Sequence, residues 1–239
     1  SFLVQPEPPT LASYVSTSGP IGLVMPKVYE GLFDYDNDGK MVPILAESYE
    51  ASADGKTVKF NLRKGVKWHD GKPFTSADVK FTILEVLKKV HPRGPNSFRE
   101  VTNIETPDAH TAIFKLKKPA PYMMRSFSAY ESPMVPKHLL EGKDVKSAPL
   151  ANNPVGTGPF EFVEWQSDEF IHLQRFDDYW RGPAQLRDYY FRIIPDMLTQ
   201  EMEFLTGAID RYAPQPHQVQ RLKSDERYQA YSFPGFTFT

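Results

Sequence analysis

VYEGLFDYDNDGKMVPILAESYEASADGKTVKFNLRKGVKWHDGKPFTSADVKF, residues 28–81, changes periodicity from a strand pattern to a helical one within a single stretch. Asp34, Asp36 and Asp38 alternate and Gly39 closes the run, the spacing that opens an EF-hand calcium loop. The twelfth position from Asp34 is Leu45, however. Glu47 comes two residues too late for the bidentate ligand, and Pro43 interrupts the place where an exiting helix would start. Asn37-Asp38-Gly39 is therefore read as a tight bend between two strands. Val58–Leu62 alternates apolar and polar residues as a half-buried strand does. Thr75 is the expected N-cap of a helix through Lys89, with Asp78 completing a short-acid capping box and Val79, Ile83, Val86 and Val90 on one face.

Outward from this stretch, residues 2–5 (FLVQ) form a strand candidate ended by Pro6, Pro8 and Pro9. The polar loop STSGP (16–20) precedes an apolar helical stretch from Ile21 to about Gly31. VTNIET and HTAIFKL flank Pro107-Asp108-Ala109 as a hairpin, and residues 158–165 and 170–176 flank QSDE as a second. DYYFRIIP (188–195) is a strand leading into a helix started by Asp196 and stopped near Gly207. PHQVQRLKSDE forms another helix and YQAYSF (228–233) a last strand. Strand–helix–strand order predicts a mixed α/β (α+β) fold.

The chain has 239 residues with a net charge of -2 and both signs interspersed, which leaves no basic stripe for nucleic acid. No apolar run is long enough to span a bilayer. The absence of cysteine excludes disulfides, thiolate metal sites and cysteine nucleophiles, and fits an extracytoplasmic bacterial protein. The opening SFLVQPEPPT lacks a charged n-region and apolar h-region, so a signal peptide is either missing or already removed. The 22 prolines are dispersed and punctuate loops.

Four blocks in order carry a family resemblance: residues 28–81, NPVGTGPFEFVEW (153–165), RFDDYWRG (175–182) and FRIIPDMLTQEMEFLTGAID (191–210). Together they resemble the family-5 extracytoplasmic solute-binding proteins of ABC importers, which include dipeptide-, oligopeptide- and nickel-binding proteins. The resemblance implies one lobe of a periplasmic-binding-protein type II fold. Residues 1–43 and 151–239 would form its discontinuous core, and residues 44–150 an inserted accessory subdomain. The second lobe would be absent, so the chain is expected to be a truncated one that binds ligand weakly alone. The implied function is capture of a peptide-like or other small polar solute (a peptide, an opine-like conjugate, a sugar or a metal chelate) for a membrane permease. The implied location is periplasmic or extracytoplasmic.

By the same resemblance, ligand would meet Thr17, Ser18 and Gly22 in the first loop, Phe98 after PRGPN, and Arg125, Tyr130 and Glu131 around SFSAYESP. Local readings stand beside these. Ser18 and Pro20 suit an N-cap and first helical position, and Phe98 suits core packing. Trp165, Tyr179 and Trp180 are expected in packing roles. No metal site, cofactor or catalytic residue is expected. A hydrolase using His69 and Asp70 is the weaker rival, because no partner ligand or acid stands at metalloenzyme spacing. GTGPF is no phosphate loop, and no serine sits in a GxSxG context. A stand-alone interaction or chaperone-like protein, self-associating through the exposed half-cleft, is the other alternative.

Overall fold

The computed structural model describes residues 1–231. In chain order its elements are β1 (Phe2–Leu3), α1 (Gly19–Val24), β2 (Phe33–Tyr35), β3 (Met41–Pro43), β4 (Ala46–Ala51), β5 (Thr57–Leu62), α2 (Ser76–Phe81), α3 (Lys88–Val90), α4 (Gly94–Ser97), β6 (Val101–Asp108), β7 (Thr111–Leu116), α5 (Lys137–Leu140), β8 (Phe160–Gln166), β9 (Phe170–Arg175), β10 (Asp188–Arg192), α6 (Met197–Leu205) and α7 (Pro216–Lys223). They form two four-stranded sheets, ordered β1-β10-β9-β8 and β4-β5-β7-β6, with β2-β3 as a separate two-stranded ribbon. The mixed α/β class expected from the sequence is the one observed.

The first sheet joins distant segments. Phe2 and Leu3 pair in parallel with Phe191 and Arg192, while the remaining pairings are antiparallel. Glu7 steadies its β8–β9 turn: the carboxylate accepts from Trp165 Nε1 at 2.8 Å, Ser167 Oγ at 3.1 Å and the Asp168 amide at 3.2 Å. The turn needs that support because Asp168 is held at φ 64°, an uncommon conformation for a residue with a Cβ.

The second sheet presents Val58, Phe60, Leu62, Ala112, Phe114 and Leu116 to the core. Rings meet there edge to face at close range, with Phe60–Phe114 centroids at 4.8 Å and Phe60–Phe127 at 5.0 Å. Burial of such rings, at about 25 cal/mol per Å² of apolar surface, is the main local stabilisation. The long helix beside it begins at the expected cap. Asp78 Oδ2 accepts from the Thr75 amide at 2.9 Å and its hydroxyl at 3.1 Å, and Oδ1 accepts from Lys137 N at 2.9 Å, tying α2 to α5. Between α2 and α3 the turns widen to a π-helical segment, Thr82–Leu87. Val79, Ile83 and Val86 are buried as the periodicity predicts, whereas Val90 is only half-buried.

Three local expectations shift. The helix read from Ile21 to about Gly31 ends at Val24 and tightens into a 3₁₀ turn over Met25–Lys27, where Pro26 supplies no N–H to continue it. The strand over 2–5 is confined to Phe2–Leu3. Residues 228–231 of the expected last strand are not in a strand, and 232 and 233 lie outside the described residues.

Candidate functional site

A polar patch gathers three segments that are far apart in sequence. Tyr130 donates its hydroxyl to the Thr17 carbonyl at 2.7 Å, closing the 126–132 loop against the first loop. Gly22 permits that approach: a Cβ there would lie 2.5 Å from Tyr130 Cε2. Arg93, just before α4, places its guanidinium carbon 5.3 Å from the Tyr130 ring centre and pairs with Glu131. An aromatic face, a cation and a carboxylate thus stand side by side, a set able to hold a small zwitterion or anion by cation–π and charge-assisted hydrogen bonds.

The expected site residues divide. Thr17, Gly22, Tyr130 and Glu131 come together in this patch. Ser18 stands at the N-cap position of α1, yet its side chain makes no capping hydrogen bond, and its buried Oγ has no partner among the described residues. Arg125 is exposed at the end of a 3₁₀ turn. Phe98 reaches no surface: it is fully buried, its ring 5.6 Å from Phe127 in the aromatic core. Arg93 was not expected. Its sequence signal, an arginine in the helix-ending run HPRGP, gives no hint of a partner 38 residues on.

A second polar centre lies deeper. Glu30 is buried at 6% exposure. Its carboxylate accepts from Tyr179 Oη at 2.8 Å, Thr157 Oγ1 at 2.9 Å and Trp180 Nε1 at 3.0 Å. Burial raises its pKa, while those three hydrogen bonds and Arg181 pull it back down. A glutamate inside the apolar run VYEGLF was a readable sign of such a partnered group. Tyr179 and Trp180 therefore pack as cage walls, with Arg63 4.1 Å over the Trp180 ring. A 160 Å³ hollow adjoins Glu30, and a 760 Å³ one lies between β10 and the α6 side. The Tyr130 patch lines neither.

His69 and Asp70 are engaged structurally. His69 Nδ1 accepts from the Gly156 amide at 3.1 Å and Nε2 faces the Gly158 carbonyl at 2.9 Å, which fixes the proton on Nε2. Burial lowers its pKa to about 4. Asp70 Oδ2 meets His138 Nε2 at 2.6 Å. In the aspartate run, Asp36 Oδ1 accepts from the Asp38 amide at 3.0 Å and the Lys40 amide at 2.8 Å, with Gly39 at φ +75°. Those bonds make a turn. Among the described residues no group of three or more His, Cys, Asp or Glu is placed to hold a metal ion, and no helix is long and apolar enough to cross a membrane.

The profile of the bacterial extracellular solute-binding proteins, family 5 (middle), matches residues 40–239. The glutathione-binding protein GsiB of Pectobacterium atrosepticum is 30% identical over 212 residues, covering 87% of this chain and 40% of that protein. NikZ of Campylobacter jejuni, solved with Ni(L-His), superposes with a TM-score of 0.81 at 26% identity, over 94% of this chain and 45% of its own. AgaA of A. tumefaciens R10, solved with agropinic acid, gives 0.81 at 35% identity over 94% and 46%. The chain spans about 40% of the length of the curated relatives it matches.

Proposed function

This chain belongs to the family-5 bacterial extracellular solute-binding proteins, and on that premise we propose that it is part of the solute-binding component of an ABC importer. It captures a small polar solute outside the cytoplasm and hands it to a membrane permease, binding without chemistry. The observation that carries this reading is the Tyr130 patch, where a ring and a carboxylate of the 126–132 loop meet a cation from the turn before α4, with the first loop tied on through the Thr17 carbonyl. Thr17 borders it through its backbone carbonyl, which holds the Tyr130 hydroxyl. The relatives' ligands, glutathione, Ni(L-His) and agropinic acid, all carry charged groups of the kind this patch complements. The engagement of both His69 ring nitrogens in backbone hydrogen bonds speaks against an acid–base role for that residue.

The proposed organisation is a core built from 1–43 and 151–239 with 44–150 inserted. It is supported by the first sheet drawing strands from residues 2–3 and 160–192 and the second from 46–116. Ligand would close between this lobe and a partner lobe, as hinge-bending binding proteins do. The test is a calorimetric titration with peptides, glutathione and opine-type conjugates. Saturable binding weakened at least tenfold by Tyr130→Ala supports the reading, and undiminished binding by that variant removes the patch from it. Self-association is a separate proposal, resting on Met197, Leu198 and Met202 of α6, which are 58%, 71% and 66% exposed. Sedimentation that stays monomeric across concentration refutes it.

A further inference from the structure

His91 is an unexplained buried group close to the patch. It is 1% exposed and ends α3 in an extended conformation. Its Nδ1 accepts from the Gly94 amide at 3.1 Å and the Arg93 amide at 3.3 Å. An accepting Nδ1 carries no proton, so the ring is the Nε2–H tautomer. Burial lowers its pKa to about 4, with Arg93 adding to the effect, so the acceptor persists at neutral pH.

We infer that His91 is the positioning residue of the ligand face: by holding the Arg93 and Gly94 amides it sets the Arg93 guanidinium over Tyr130 and against Glu131. This rests on the reading of that patch as the binding face. The turn is pinned from the other side as well. A Cβ on Gly94 would lie 2.0 Å from the Leu87 carbonyl oxygen, so the chain runs hard against the end of the helix. Arg93 O accepts from Asn96 N at 3.1 Å and Ser97 N at 2.9 Å, which carries the orientation of that residue into α4. The Arg93 and Gly94 amides face the imidazole, and Pro92, between His91 and Arg93, has no amide to give. With the ring acceptor gone, those two amides lose their partner. The arginine then loses the fixed base from which it reaches the tyrosine.

The experiment compares His91→Asn, whose Oδ1 falls near the Nδ1 position, with His91→Gln, whose oxygen lies one methylene further, and with His91→Phe, which keeps the ring but offers no acceptor. Two readouts need no ligand: hydrogen exchange of the Gly94 amide, and the rate at which phenylglyoxal modifies Arg93. The third is affinity for trialanine, a probe with a free amine and a free carboxylate, with Arg93→Ala as reference.

The expected result is wild-type behaviour for His91→Asn. For His91→Gln and His91→Phe, Gly94 exchange and Arg93 modification rise about tenfold, the factor that one lost hydrogen bond implies. Trialanine affinity of those two falls toward that of Arg93→Ala. Unchanged Arg93 modification in His91→Phe, even with lowered global stability, would make His91 a mere structural cap and overturn the inference. Should His91→Phe not fold, His91→Asn and His91→Gln decide the matter, and equal Arg93 modification in both overturns it. Absence of trialanine binding to the wild type counts against the binding-face reading alone, because the two Arg93 readouts still decide the role of His91.

Discussion

The Nδ1 atom of His69 accepts the backbone N–H of Gly156 across 87 residues of sequence. This ring can hold the glycine loop only while neutral, and burial lowers its pKa from 6.5 to about 4. Above pH 6.5 the folded and unfolded chains both carry it neutral. As pH falls below 6.5 the unfolded chain takes up a proton that the folded one refuses, so stability declines until about pH 4. The shift corresponds to roughly 3 kcal/mol at most. Denaturation midpoints measured from pH 7.5 to 4 should show this decline, and it should shrink in His69→Gln, which is less stable at neutral pH.

Glu30 is predicted to be the costliest single carboxylate to remove. Glu30→Leu takes the acceptor from the buried Thr157 hydroxyl and from the half-buried Tyr179 and Trp180 donors. The expected loss is about 3 kcal/mol or more by urea denaturation, and Glu30→Gln, which keeps one acceptor oxygen, should lose less. Its raised pKa has the opposite sign to that of His69. The unfolded chain ionises first as pH rises through the carboxylate range, so this residue weakens the fold on ionising. A Glu30→Leu variant as stable as wild type would dismiss the cage.

Gly22→Ala is expected to displace the Tyr130 ring, since the added methyl would stand 2.5 Å from Cε2 while the hydroxyl is tethered to the Thr17 carbonyl. The cost is about 1–2 kcal/mol of overpacking. Combining it with Tyr130→Ala should remove most of that cost, a non-additivity that a double-mutant cycle measures. Strict additivity would mean that the ring is not the obstacle.

Gly156→Ala is predicted to be far worse, because its Cβ would meet the Val28 carbonyl oxygen at 1.8 Å, backbone that cannot step aside. We expect little folded protein by circular dichroism, whereas Gly39→Ala, in open space at positive φ, should cost only about 1 kcal/mol.

What the sequence discloses is what short-range chemistry encodes. Thr75 and Asp78 announce a helix start because both halves of the cap lie within one turn. Asp196 does the same for α6, accepting from the Thr199 amide at 2.8 Å. The two hairpins and the alternation of β5 are likewise local, and the ordered family blocks carry the class of fold. Partners set by tertiary approach were hidden. Arg93 meets Glu131, and Glu30 meets Trp180 across 150 residues, through contacts that no window of sequence contains. Phe98 shows the converse: its local reading as a core residue is the one observed, its ring lying 5.6 Å from Phe127, and the ligand contact implied by the family resemblance is not where the side chain goes.

The parallel pairing of Phe2 and Leu3 with Phe191 and Arg192 also sets an order of assembly. Sheet β4-β5-β7-β6 closes within residues 46–116, whereas the first strand has no partner until almost two hundred residues have been made. Such long-range pairing is slow and leaves an unpaired edge for other chains to capture. In chains ended before residue 188, a protease is expected to clip the first few residues while 46–116 resists, and equal resistance of both would contradict it. β1 is in this sense a clasp that stays open until residues 188–192 have been made.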